Sequence, residues 1–243
     1  MYSLFLKEIR SFLSSVLGYV VITVFLLLVG LFLWVLPTDF NILDNGYANV
    51  DGLFILAPFV FMFLIPAITM RSFAEEQRTG TIELLYTRPL SDMQIVMAKY
   101  LAAFALVLVS VLPTLIYYFS VWQLGWPVGN IDSGGFWGSF IGLLFLGAVF
   151  VSIGLFASSV TDNQVVSFIL AVIITAFAYL GFEFIYSLEW FGDMALLIKS
   201  LGISTHYSSI SRGVVDTRDV VYFLSVIVFF LYLTNFMIAR RKW

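Results

Sequence analysis

MRSFAEEQRTGTIELLYTRPLSDMQIVMAKY, residues 70–100, is the longest polar interruption on one side of an otherwise apolar chain. It carries Arg71, Glu75, Glu76, Arg78, Glu83, Arg88, Asp92 and Lys99, whereas the apolar runs that flank it carry no charge. Such a segment belongs in water or against protein, not in hydrocarbon. Within it, Thr79-Gly80-Thr81-Ile82-Glu83-Leu84-Leu85 predicts the start of a short helix, with Gly80 as N-cap and Glu83 at N3, where a carboxylate meets the helix dipole. Pro89 ends that helix, because the residue before a proline is pushed out of the α region. Ser91-Asp92-Met93-Gln94 predicts a capping box for the next helix. The expected product is a capped amphipathic helix between two membrane spans, which is a docking surface. The plainer alternative is a solvated connection; the capping and the apolar Ile82, Leu84 and Leu85 argue against it.

The rest of the chain is what such a surface would move. Of 243 residues 61% are hydrophobic and 11% charged, with mean hydropathy +1.02, whereas a soluble domain is about a quarter charged. The chain is therefore a multi-pass membrane protein. Charge-free gaps run between Arg10 and Asp39, Asp51 and Arg71, Lys99 and Asp132, Asp132 and Asp162, Asp162 and Glu183, and Asp219 and Arg240. Each is about 19 residues or longer, enough to cross roughly 30 Å of hydrocarbon as a helix. The expected fold is all-α and integral to the membrane, one transmembrane domain over residues 1–243 with six spans near 16–36, 53–70, 97–121, 135–160, 164–187 and 220–239.

Lysine and arginine set the orientation. With the N-terminus inside, six spans place Lys7, Arg10, Arg71, Arg78, Arg88, Lys99, Arg240, Arg241 and Lys242 on the cytoplasmic side, and only Lys199, Arg212 and Arg218 outside. This positive-inside bias predicts both termini and the 71–93 loop in the cytoplasm. The acidic residues Asp39, Asp44, Asp51, Asp132, Glu189, Asp193, Asp216 and Asp219 fall outside. Residues 1–15 place Leu4, Phe5, Ile9, Phe12 and Leu13 at helical spacing around Lys7, Glu8 and Arg10, which predicts a helix in the inner headgroup layer; the plainer reading is a charged anchor for the first span. That span is too long for a signal-peptide core and lacks a cleavage site, so it is expected to be retained.

Smaller features have paired readings. Pro58 and Pro66 in the second span are a possible hinge, or the ordinary proline content of membrane helices. Gly134, Gly138 and Gly142, at spacing four, predict a close helix-packing face more than a substrate path. Thr161-Asp162-Asn163-Gln164 predicts a tight inner turn, with Thr161 and Gln164 as a second capping box. Glu183 is the one carboxylate within reach of a span; it is a functional candidate by default, but near the outer end it can snorkel to the headgroups. Residues 188–219 form an outer segment in which Ala195–Leu201 predicts a short surface helix. His206, the one histidine, has no partner ligand to suggest a metal.

The chemistry that is missing narrows the function. There is no cysteine, hence no disulfide or thiolate. No G-x-x-x-x-G-K-[ST] loop occurs, so nucleotide is not bound in that way, and neither H-E-x-x-H nor G-x-S-x-G is present. Ionisable residues within the spans are too few for a proton relay. A transporter with neither relay nor nucleotide site takes its energy from a partner, and the cytoplasmic loop is the place to receive it.

The whole chain resembles the ABC-2 type permeases. The likeness rests on the amphipathic N-terminal segment, on the loop S-F-A-E-E-Q-R-T-G-T-I-E-L-L-Y-T-R-P-L-S (72–91), and on H-Y-S-S-I-S-R-G-V-V-D-T-R-D (206–219) before the last span. In detail it is most similar to the gliding-motility-associated ABC permease subunit, the GldF type. The core E-E-x-x-x-G-T-x-E-L-L-x-x-x-P-[LIV]-S is the specific part; six spans alone are not. The resemblance implies the ABC-2, type V exporter-like permease fold, with an interfacial helix and a cytoplasmic coupling helix that docks on a separate ATPase. Carried over, Glu75, Glu76, Arg78, Gly80, Thr81, Glu83, Leu84 and Leu85 form or brace that contact. It also implies a second permease subunit, identical or a related chain, and two ATPases. ATP and Mg would reside on the ATPase, leaving this chain without catalytic residues, cofactor or metal.

Three functions compete: an ABC permease subunit, a non-transporting mechanical or regulatory assembly driven by the same ATPase, and a stand-alone carrier. Membrane lipid is a partner in each, and nucleic acid in none. An aromatic, mostly neutral interior suits lipids, glycans, peptides or drugs alike, so the substrate is not legible.

Overall fold

The computed structural model describes residues 1–44, 46–83, 89–187 and 195–240. All regular structure among them is helical. In chain order the helices are α1 (Tyr2–Leu13), α2 (Val16–Trp34), α3 (Asp51–Thr69), α4 (Ala74–Arg78), α5 (Asp92–Val111), α6 (Leu115–Leu124), α7 (Ser133–Val160), α8 (Gln164–Ala176), α9 (Phe182–Ser187), α10 (Ala195–Ser200), α11 (Ile203–Ile210) and α12 (Thr217–Arg240).

Among the described residues five helical stretches are long and apolar enough to cross a membrane: Asp51–Arg78, Asp92–Leu124, Ser133–Val160, Gln164–Ser187 and Thr217–Arg240. Tyr2–Leu13 and Gly18–Trp34 reach that length only as a pair, bent by 67°. The bend is built locally. Ser15 caps α2 by accepting the Gly18 N–H at 3.2 Å, and a Cβ on Gly18 would stand 2.5 Å from the Phe12 carbonyl oxygen. Only glycine lets the two arms close so tightly.

α7 is the centre of the bundle. Of its apolar stretch 78% is buried, against 22% for Gln164–Ser187 and 28% for Thr217–Arg240. Leu143, Leu146, Val149, Phe150 and Ile153 are fully enclosed, and α3, α5, α8, α11 and α12 all pack on this one helix. The thinly buried α8 and α12 turn Ile169, Ile173, Val228 and Phe229 outward, as helices bordering lipid do.

The third span runs as one helical stretch, Asp92–Leu124, in which Pro113 imposes a 3₁₀ turn, Leu112–Thr114, between α5 and α6. The fifth carries a π-turn, Phe177–Gly181, between α8 and α9. The Thr161–Gln164 capping box does not form. Asn163 caps α8 instead, its Oδ1 accepting the N–H groups of Val165 (2.9 Å) and Val166 (3.4 Å). An Asx residue one position before the helix reaches those donors better than Thr161 can, and Thr161 Oγ1 accepts the Asn163 N–H at 3.2 Å. α7 and α8 still form a hairpin. The Ser91 box is present with both bonds, Gln94 N–H to Ser91 Oγ (3.3 Å) and Ser91 N–H to Gln94 Oε1 (3.2 Å). α3 runs as one helix through Pro58 and Pro66, both buried.

Candidate functional site

The loop after α3 opens with α4, AEEQR, a helix of 5 residues. A helix so short does not hold itself; here the C-terminal end of α7 holds it. The N–H groups of Phe73 and Ala74, orphan donors at a helix start, both donate to Ser158 Oγ, at 3.0 and 3.1 Å. The Ser158 hydroxyl in turn donates to the Met70 carbonyl at 3.1 Å, and Gln77 Nε2 donates to the Ser159 carbonyl at 3.2 Å. Ser158 and Ser159 are fully buried. The far end of α4 closes at Gly80. Its φ of 71° is left-handed, and its N–H meets the Gln77 carbonyl at 3.3 Å. The left-handed backbone makes Gly80 the C′ residue of α4, while most of the helix for which it is the expected N-cap lies outside the described residues. The Gly80 carbonyl accepts the Glu83 N–H at 3.3 Å.

Beside α4 lies a cluster of four charges. Lys99, on α5, has a side chain only 1% exposed. Its Nζ donates to the Ser72 carbonyl (2.7 Å) and to Glu8 Oε1 of α1 (3.1 Å). It also stands 2.9 Å from Glu76 Oε2 of α4, as a charge contact whose angles fall outside a hydrogen bond. The ring of Phe73 is 5.1 Å away. Lys7 reaches Glu76 Oε1 at 3.1 Å from the exposed rim. Burial pulls the Lys7 ammonium down, but the carboxylates of Glu76 and Glu8 outweigh it and hold its pKa above the ordinary 10.5. The cluster is neutral overall, which is what allows Lys99 so deep: a buried ammonium without partners would be severely penalised. α1, α4 and α5 are thereby tied at one point. A cavity of about 410 Å³ opens beside the cluster, lined by Ser11, Ser15, Arg71, Glu75 and Thr81 among others.

The predicted docking residues divide. Arg78, Gly80, Thr81 and Glu83 are exposed on the free side, Glu75 is half-buried at the cavity rim, and Glu76 turns inward to the lysines. Leu84 and Leu85 lie outside the described residues, as does Arg88. Of the glycine stripe, Gly138 packs so close to Gly213 that a Cβ would collide with its carbonyl oxygen, and a Cβ on Gly142 would meet Ile210 Cγ2 at 2.5 Å. One on Gly134 would meet only the Asp132 side chain, at 3.5 Å. The sequence reading did not single out Glu8, Lys99 or Ser158. Glu8 did leave one signal: it is the lone acid among the basic residues of the N-terminal segment.

The long apolar helices define a multi-pass membrane protein. The chain matches, over residues 35–208, the family model described as an ABC-2 family transporter protein, and it belongs to that family. Membership makes it a non-catalytic membrane subunit of an ABC transporter and implies an ABC ATPase partner. A comparison with curated proteins returned no match.

Proposed function

We propose that the chain is a permease through which a separate ATPase converts ATP hydrolysis into export or envelope work at the bacterial inner membrane, with both termini cytoplasmic. Two permease subunits, identical or related, frame a central path, and each docks an ATPase through its 71–93 loop. The observation that carries this reading is the grip of Ser158 on α4. Because the backbone of Phe73 and Ala74 is bonded to the inner end of α7, a push on α4 is a push on the central helix. The Lys99 cluster extends the same push to α1 and α5. Closure of the ATPase pair on ATP and Mg then shifts four inner helix ends as a block, with Pro58 and Pro66 as the flexible points of α3, since a proline leaves a helix one backbone bond short. The positive-inside charge and the family match support the orientation and the partner. The E-E-x-x-x-G-T-x-E-L-L core supports a gliding-motility type of work.

The test is affinity purification from native membranes of the wild-type chain beside Glu83→Arg, which changes an exposed docking residue. An ATPase should accompany the wild type and be lost from the variant. If neither sample brings an ATPase down, the docking reading fails and a stand-alone carrier takes its place.

A further inference from the structure

At the end of the bundle opposite α4, two cavities of about 470 and 480 Å³ share Phe54, Ile55, Ser211 and Arg212 in their walls. They are two arms of one groove along the start of α3. One arm continues to Asp51 and Asp132, the other to Glu183, Lys199 and Ser204.

Thr205, Tyr207, Ser208 and Ser211 of this second arm bond to backbone carbonyls, but three of its polar groups have no hydrogen bond or ion pair among the described residues. The Arg212 guanidinium makes no ion pair or hydrogen bond among the described residues. Lys199 Nζ sits 4.7 Å over the ring of Tyr186 and makes no ion pair among the described residues. Ser204 Oγ is buried with no hydrogen-bond partner, although it belongs to a residue of the cavity wall. A buried hydroxyl without a hydrogen bond is costly unless something fills that role. Two cations and a hydroxyl around one cavity ask for a phosphate-like group. Yet Glu183 lines the same arm and two aspartates the other. With acids so near, a pure anion gains little; a phosphate with an ammonium beside it satisfies both signs.

The groove also has an apolar lane. Ile55 and Phe59, one turn apart on α3 and so on one face, are 51% and 47% exposed, and Leu180 of the π-turn continues the strip. Tyr179, brought inward by that turn, packs edge-on to Phe59 at 6.3 Å and beside Tyr207 at 6.2 Å. π-turns within helices concentrate at functional sites.

We propose that this groove binds a zwitterionic phospholipid of the phosphoethanolamine class. Arg212, Lys199 and the Ser204 hydroxyl take the phosphate, Glu183 takes the ammonium, and one acyl chain lies along Ile55, Phe59 and Leu180. The site needs no ATPase in order to bind, so it stands or falls apart from the docking of one.

The full chain, purified in detergent, is titrated with phosphatidylethanolamine, phosphatidylglycerol and diacylglycerol, and bound lipid is counted by native mass spectrometry. One phosphatidylethanolamine should be retained per chain, about tenfold more tightly than either of the others, and millimolar inorganic phosphate should leave it in place. Arg212→Gln combined with Lys199→Gln should weaken it by about tenfold or more, and Glu183→Gln should erase the preference over phosphatidylglycerol. An Ile55→Trp variant, which leaves every charge in place, checks the acyl lane and should also weaken binding. Equal retention of diacylglycerol, equal binding by wild type and the Arg212/Lys199 variant, displacement by inorganic phosphate, or a wild-type preference for phosphatidylglycerol would each overturn the proposal.

Discussion

The ammonium of Lys99 and the carboxylate of Glu8 stand 3.1 Å apart, although 91 residues separate them in sequence. Through this contact the N-terminal helix α1 is fastened to the N-terminal half of α5. Because Glu76 of α4 shares the same ammonium, none of the three helices can move away without unpairing a buried charge.

Lys99→Met tests that knot. It leaves Glu8 and Glu76 facing each other, only 20% and 12% exposed, with Lys7 at the rim as their one remaining cation. Breaking a buried pair from one side costs about 3–5 kcal/mol, so a clear fall in the detergent melting temperature is expected. Adding Glu76→Gln to Lys99→Met should recover a good part of it. A Lys99→Met protein that melts with the wild type would mean that the knot is ornamental.

Ser158→Ala removes the acceptor of two backbone N–H groups and the donor to the Met70 carbonyl. About 2–3 kcal/mol of local stability should be lost, the usual cost of buried groups left unsatisfied. Hydrogen exchange reads this directly: the amides of Phe73 and Ala74 should exchange about tenfold or more faster while those in the middle of α7 hold. Unchanged exchange at both amides would remove the mechanical link between α4 and α7.

What was legible in the sequence followed the range of the forces involved. The charge-free runs marked the apolar helices because the cost of a charge in hydrocarbon acts residue by residue. The Ser91 box was legible because both of its bonds lie within four residues. The closing role of Gly80 at α4 was not legible, because a glycine between two helical turns serves either end and α4 is held by Ser158 from 85 residues away. Asn163 outcompeted Thr161 on reach alone. Lys99, Glu8 and Ser158 left almost no local trace: on a list of residues they are an anchor, an acid and a small polar side chain, and only the packing of α1, α4, α5 and α7 gives them their partners.

His206 is the second buried charge arrangement, at the opposite end. Its Nε2 lies 2.8 Å from the Ser200 carbonyl and its Nδ1 2.7 Å from Asp219 Oδ1, with the ring stacked on Tyr222 at 3.8 Å between centroids. A carbonyl only accepts, so Nε2 carries a proton. His206→Ala would leave Asp219 buried with both oxygens unpaired, since Oδ2 already has no hydrogen-bond partner. The expected loss is about 1–3 kcal/mol, and Asp219→Asn in the same chain should return part of it. Melting curves of the two single variants and the double variant complete the cycle; strict additivity would show that the two residues do not interact.

The glycine stripe of α7 makes the sharpest contrast, because one substitution has opposite expected effects four residues apart. At Gly138 an added methyl collides with the Gly213 carbonyl oxygen. The Gly213 carbonyl carbon and Cα would also lie within 2.7 Å, so the clash is with backbone and no flexible side chain can yield. Overpacking of this kind costs about 1–3 kcal/mol, so Gly138→Ala should melt earlier and loosen the 211–216 turn in hydrogen exchange. At Gly134 the nearest atom is an Asp132 carboxylate oxygen 3.5 Å away, an ordinary contact. There alanine should be neutral or stabilise by up to about 0.5–1 kcal/mol through its better helix propensity. Equal losses at the two positions would show that the stripe acts through α7 itself and not through the approach of Gly213.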